Sequence, residues 1–271
     1  MMKNVSNTIV WFLLFLVAVV FFSCKRTNRA GEDEIVINGK LTNSAGKIIW
    51  LSEFDGKRMH IIDSAYIEAD EFFSFKIKPK YAGFFIVSLL KNDDAFLIGN
   101  KGETIMLTGD ANHLASSWNA RGSDETKLYL TYWDATRNQL KHIDSLTILF
   151  RSIRMDPDNM TLRIRTDSIF TSIMERQRED ATHFINKNPG ALASLLVINA
   201  KFLRQPLFYE ERDINYFKML DSGLSLTYPG NPLEIDFHNR VKQILKSIKN
   251  HQLNNRLLPP GELSPSYTPN R

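Results

Sequence analysis

The chain has 271 residues, 43% of them hydrophobic and 24% charged, the make-up of a folded globular protein and not of a disordered one. A net charge of +4 over that length is no nucleic-acid footprint, which needs a concentrated basic patch. Cys24 is the only cysteine, so an intramolecular disulfide, a Cys-x-x-Cys redox pair and a thiolate zinc site are all excluded.

Residues 1–8 carry one charge, Lys3, and fourteen unbroken apolar residues follow, Ile9–Phe22. As a helix they rise about 21 Å at ~1.5 Å per residue, short of the ~30 Å hydrocarbon core, so a cleaved signal is expected and not a lasting span. The segment resembles a bacterial lipoprotein signal, in which a small residue precedes a cysteine that is acylated through its thiol and becomes the new N-terminus. Ser23-Cys24 follows that pattern, and Phe21 stands where the commonest form has Leu. The resemblance implies a signal peptide over 1–23, a lipid anchor at Cys24 and a bilayer as partner, since two or more acyl chains hold a protein on a membrane durably. Lys25, Arg26 and Arg29 follow the cysteine while Glu32–Glu34 come late, which favours the periplasmic face of the outer membrane in a Gram-negative envelope.

Residues 24–33 read as a tether. From Glu34 to about Asn112 apolar and polar residues alternate, as at Ile35, Ile37 and Leu41, at Phe73, Phe75 and Ile77, and at Phe85, Val87 and Leu89. Turn chemistry recurs at Asn43–Gly46, Asp55-Gly56, Asp70-Glu71, Pro79–Gly83, Asn92–Asp94 and Lys101-Gly102. The pattern predicts an antiparallel β-sandwich of about seven strands over 34–112. Asn112–Gly122 reads as a crossing loop carrying Trp118.

The period then changes, and 113–251 is expected to hold four to five helices, making the chain α+β. Ser123 is the expected N-cap of the first, with Leu128, Tyr132, Ala135 and Leu140 at helical spacing. Asp156-Pro157, Asn188-Pro189 and Asn231-Pro232 are cap-then-proline starts. They predict helices from there, the one after Asn188 running from Gly190 to about Leu203, with another from about Tyr209 to Leu224. Residues 252–271 form a proline-rich, linker-like tail.

Taken in series, Ile35-Val36-Ile37-Asn38-Gly39, Ile62-Asp63-Ser64-Ala65, Phe72-Phe73-Ser74-Phe75, Thr104-Ile105-Met106-Leu107-Thr108-Gly109 and Arg121-Gly122-Ser123 resemble the N-terminal half of a family of envelope lipoproteins. In that family a β-sandwich of unknown function and a helical region precede a thioredoxin-like thiol-disulfide reductase module. Asp70-Glu71 departs from the family, which tends to have Gly before its Phe-x-Phe; Asp tolerates the left-handed backbone such a turn needs. Pro260–Tyr267 is similar to the Gly-x-x-Ala-Pro-x-Phe sequence that opens the reductase module, yet the Cys-x-x-Cys and cis-proline loop are missing from this sequence. The family's redox activity is therefore not carried over.

Other candidate chemistry is thin. His60, Asp63 and Ser64 are the residue types of a hydrolase triad, but on a regular strand His60 and Asp63 point to opposite faces. Asp156-Pro157-Asp158 resembles a calcium loop opening with Thr161 where Gly is needed and Asp167 where Glu is needed, so capping is the better account. The six histidines include no pair three or four apart, hence no helical zinc motif. Arg151, Arg154, Arg163 and Arg165 flank a helix turn and read as a solvated helix end. Lys76, Lys78 and Lys80 read as a wet sheet face or a guarded edge, and Trp50, Phe72, Phe73, Phe84 and Phe85 as sandwich core in preference to a ligand groove. No phosphate-binding glycine loop is present.

These readings lead to the expectation of a lipid-anchored envelope protein that is no enzyme, with no catalytic residue, cofactor or metal. Its role would be that of a binding or scaffolding module, with a separate thioredoxin-like protein as a candidate partner. The competing expectation is a truncated thiol-disulfide oxidoreductase whose catalytic module is missing after residue 271.

Overall fold

The computed structural model describes residues 28–257 apart from 56, 91–92, 155–159 and 203; Cys24, the Asp156–Asp158 segment and residues 258–271 of the proline-rich tail lie outside it, while 252–257 continue the last helix. The fold is α+β, a two-sheet sandwich followed by helices. Eight strands build the sandwich: β1 Ile35–Thr42, β2 Ile48–Phe54, β3 Met59–Tyr66, β4 Phe72–Ile77, β5 Gly83–Leu90, β6 Asp93–Gly99, β7 Thr104–Asp110 and β8 Asn119–Arg121. Sheet 1 runs β4-β1-β7-β8 and sheet 2 runs β3-β2-β5-β6. All neighbours are antiparallel except β1 and β7, which pair in parallel from Val36↔Thr104 to Thr42↔Asp110.

Period-two alternation sets which face each strand buries. Ile35, Ile37 and Leu41 of β1, Phe73 and Phe75 of β4, and Ile105 and Leu107 of β7 point inward and meet Ile49, Leu51, Phe85, Val87 and Leu97 of sheet 2 in one buried cluster. Gly39 belongs to the same inward row: a Cβ there would lie 2.1 Å from the ring of its cross-strand partner Phe73, so the missing side chain is the space the ring fills. The expected crossing loop between sandwich and helices is structured. It holds a single helical turn, α1 (Leu114–Ser117), and the eighth strand, with the indole of Trp118 fully buried under them. Asp93 organises this corner by accepting the N–H groups of Leu114 (3.0 Å) and Ala115 (2.6 Å).

The helices are α2 Asp124–Arg154, α3 Met160–Lys187, α4 Leu192–Ile198, α5 Ile214–Thr227 and α6 Pro232–Leu257, with a two-residue strand pair, β9 Lys201–Phe202 and β10 Gln205–Pro206, between α4 and α5. Ser123 does cap α2, accepting the N–H of Thr126. Asn231 caps α6 through Leu233 N–H and ties it to the start of β5 by donating to the carbonyl of Ala82 (2.8 Å). The helix after Asn188 is shorter than the spacing predicts, starting at Leu192 and ending at Ile198. There Asn199 returns its amide to the carbonyl of Leu195, and the chain turns at Arg204, whose φ is +71°. The next helix correspondingly starts later, at Ile214.

Helices α2 and α3 are joined by a buried polar network, in which Gln177 donates to the Tyr132 hydroxyl and to Thr136, and Gln139 donates to Asp180. A second apolar cluster, built on Phe184, Leu192, Phe217, Leu220, Leu224 and Phe237, reaches the sandwich through Phe84 and Ile98 on the outer face of sheet 2. The molecule is thus layered as sheet 1, sheet 2 and helices.

Candidate functional site

The outer face of sheet 2 is laid out by its register, because residues paired across strands share a face. Met59, Phe54, Phe84 and Ile98 form one row, and Ile61, Ser52, Ile86 and Phe96 the next. The first row meets the helices. In the second, Ile61 is 70% exposed and Phe96 36% exposed.

Where the roof stops, a groove encloses about 400 Å³. Its floor is Phe54, Met59, Phe84, Ile86 and Phe96; its wall is Leu195 and Leu196 of α4 with Leu233 and Phe237 of α6. Helix α4 is placed by a carboxylate from elsewhere in the chain: Glu125 of α2 accepts Leu192 N–H (3.1 Å), Ala193 N–H (2.9 Å) and the Tyr228 hydroxyl (2.6 Å). These are the donors a helix start leaves free, and a negative charge there is favourable. Burial, then the hydrogen bond to Glu125 and that carboxylate's charge, push the Tyr228 hydroxyl far above the ordinary tyrosine range, so the hydroxyl stays a donor.

Polar groups occur only at the mouth. Arg240 lies there: Nε donates to Glu210 (2.7 Å), Nη1 donates to Asn199 (2.6 Å), and the guanidinium carbon sits 5.4 Å from the centre of the Phe217 ring. Asp236 is exposed beside it. A cavity of this size, lined mainly by apolar side chains, lies within the ~300–1,000 Å³ span of small-ligand sites. Among the described residues, its lining is apolar except for Asn199, Asp236 and Arg240.

Apart from Phe84, the residues singled out from sequence fall elsewhere. On β3 the pairing jumps between Leu51↔Asp63 and Ser52↔Ile61, so Ile62 is an extra, bulged residue. The strand is therefore not regular, and the bulge brings His60 and Asp63 to the same side. They still form no triad, because His60 Nε2 meets Asp55 (2.8 Å) and Asp63 accepts the N–H of Ser64 next to it. Asp55 in turn accepts the N–H groups of Arg58 and Lys57, which together with His60 bring its pKa down to about 2. This is a well-satisfied β2–β3 turn. Burial, and then the Asp55 charge, raise the pKa of nearby Glu53.

Lys76 on β4, an edge strand, and Lys78 just past its end both reach Glu34 (2.9 and 3.6 Å). Phe73 and Phe85 belong to the sandwich core, whereas Phe84 turns to the helices and lines the groove. At the Asp70-Glu71 turn the left-handed residue is Glu71, at φ +58°, and not Asp70. Arg165 is exposed, and the side chains of Arg151, Arg154 and Arg163 lie outside those described. Among the described residues no three of His, Cys, Asp and Glu gather as a metal site, and no helix is long and apolar enough to cross a membrane.

Residues 35–129 match the model of a domain of unknown function, DUF4369. No curated protein matches the chain. The DUF4369 domain spans all eight sandwich strands and the first turns of α2, including Ser123 and Thr126, which bond to the backbone of β6. The groove floor lies inside the DUF4369 domain and the groove wall outside it. Sequence reasoning did not assemble this site, because its lining comes from six separate elements, β2, β3, β5, β6, α4 and α6, and each apolar residue reads on its own as core.

Proposed function

We propose that the chain is a lipid-anchored envelope protein, held by an acylated Cys24, that works as a non-catalytic binding module through the groove between sheet 2 and helices α4 and α6. The observation that carries the binding role is the composition of the groove: an apolar interior of Phe54, Phe84, Ile86, Leu196 and Phe237 with charge confined to Arg240 and Asp236 at the mouth. Such a site suits an apolar side chain or a small apolar molecule bearing one polar end. The lipoprotein-like signal ending in Ser23-Cys24 supports the anchor and the periplasm-facing outer-membrane address.

Titrating the purified protein with an environment-sensitive apolar fluorophore tests the groove. Saturable binding is expected, with loss of it in Ile86→Asp and retention in Ser64→Asp, which lies on an exposed stretch of β3. Absence of saturable binding, or reproducible turnover of thiols, glycans or esters, counts against the reading.

A second reading, the non-catalytic half of a thiol-disulfide oxidoreductase, is supported by the likeness of Pro260–Tyr267 to the opening of a reductase module. Coding DNA beyond Arg271 that specifies a Cys-x-x-Cys module would favour it, and unrelated DNA would remove it. A separate thioredoxin-like chain docking in the groove is the corresponding partner reading, tested by pull-down with the Ile86→Asp protein as the control.

A further inference from the structure

Residues 28–30 are fastened across the outer face of sheet 1. The Asn28 carbonyl accepts from Asn38 Nδ2 (3.0 Å), Asn28 Nδ2 donates to Ser74 Oγ (3.1 Å), and Ala30 N–H donates to Thr104 Oγ1 (2.9 Å). The three hosts sit on β1, β4 and β7, in adjacent rows of the register. Val36 and Asn38 point away from the sandwich core and are nevertheless fully buried, which is what a covering segment does to them.

The distance from this attachment to Cys24 is short. Only Lys25, Arg26 and Thr27 intervene, and the four Cα–Cα steps span at most ~14 Å when fully extended. A thioether-linked lipid at Cys24 would put the headgroup layer within that reach of Asn28. Sheet 2 lies behind sheet 1 by the ~10 Å of a sandwich, and the helices lie behind sheet 2. The outer face of sheet 1 also carries exposed cations at Lys40, Lys76 and Arg121, with Lys78 beside Lys76. Glu34 offsets part of this through its pairing to Lys76 and Lys78, and Glu32 and Asp33 stand at the rim.

We propose that the outer face of sheet 1 is a bilayer-facing surface, drawn against anionic headgroups by the short leash to Cys24, so that the groove on sheet 2 opens away from the membrane. The proposal rests on the acylation of Cys24 proposed above. Basic residues near an anionic leaflet are attracted to it and lose that attraction within a Debye length, so a leash of this reach is what makes modest surface charge effective.

The test uses the full chain, produced with its signal and reconstituted in phosphatidylglycerol-containing vesicles. One cysteine is introduced at Thr108 (Thr108→Cys, outer face of sheet 1) or at Ser64 (Ser64→Cys, outer face of sheet 2), and each is labelled with a thiol-reactive fluorophore. An acylated Cys24 does not react, so one label per chain together with flotation establishes the anchor independently. A headgroup-nitroxide lipid should quench the Thr108 label severalfold more than the Ser64 label. Equal or reversed quenching on a protein that floats with one label overturns this orientation and leaves the anchor standing. Two labels per chain, or no flotation, removes the anchor and the orientation together. A Gly/Ser insertion after Thr27 should bring the two quenching values together, and a difference that survives it counts against the leash.

Discussion

Thr126 closes the edge-facing backbone of Ile98: its hydroxyl accepts the Ile98 N–H and donates to the Ile98 carbonyl, each at 2.8 Å, with Ser123 donating to the same carbonyl at 2.6 Å. Ile98 lies on β6, an edge of sheet 2. The start of α2 thus does for this edge what a neighbouring strand would do.

Thr126→Val keeps the shape and removes the hydroxyl, leaving a buried N–H without its partner. A loss of about 1–3 kcal/mol is expected, read as a lower urea midpoint at unchanged slope. An unchanged midpoint would mean that β6 is held by the sheet alone.

Tyr228→Phe removes the bond to Glu125 while leaving the Leu192 and Ala193 donors in place. A hydrogen bond to a charged group contributes about 1.5–3 kcal/mol, and a loss at the lower end is expected because Glu125 stays paired. The hydroxyl's pKa is raised in the fold, by burial first and Glu125 second, so its contribution is complete below the unfolded value of ~10 and is lost as pH climbs through the folded value. In a spectrophotometric titration the late-ionising tyrosine phase should shrink in Tyr228→Phe.

Gly223 of α5 packs against the Pro189-Gly190 turn, and a Cβ there would stand 2.3 Å from the Pro189 carbonyl oxygen. Replacing a helical glycine by alanine gains about 1 kcal/mol from propensity alone. The clash is with backbone, which cannot swing aside, so Gly223→Ala is expected to destabilise on balance, by about 1–3 kcal/mol. A more stable variant in thermal melts would show that the α5 contact is loose.

Asp55 should titrate with a midpoint of about 2 by carboxyl NMR, held down by the Arg58 and Lys57 amides and by His60. Because the folded value is depressed below the unfolded ~3.9, the turn's stabilisation is present above that value and disappears as pH falls through the folded one. The protection of the Lys57 and Arg58 amides, measured against the intrinsic exchange rate at each pH, should therefore fall on acidification in the wild type. Asp55→Ala should show no such protection at any pH; protection that persists there would refute the assignment.

Much of the sandwich was legible because its signal is local. Ile35, Ile37, Phe73, Phe75, Ile105 and Leu107 alternate as the buried rows require, and Ser123 and Asn231 cap the helices that follow them. The start of strand β6 was hidden because Asp93-Asp94 reads as turn chemistry, whereas Asp93 caps α1 and Asp94 accepts from Ser88 across the strand pair. Helix α4 was overextended because nothing local announces its end; Ile198 is followed by a strand pair whose turn depends on a left-handed Arg204. The bulge at Ile62, which changes the facing of His60 relative to Asp63, is set by pairing to β2 and leaves no mark in the β3 sequence itself. The groove required all of this at once, since Phe54, Phe96, Leu196 and Phe237 meet only after the register and the helix packing are fixed.

The parallel pairing of β1 with β7 has a consequence for the order in which the fold is made. Val36 must find Thr104, about 70 residues later in the chain. Sheet 2 is closed largely by near neighbours, β2 with β3 and β5 with β6. Contacts between distant residues form slowly because loop closure comes before any gain from the contact. A chain emerging N-terminus first therefore holds β1 as a hydrophobic strand with only β4 to pair with until β7 has arrived, and the sandwich completes from its last strands inward.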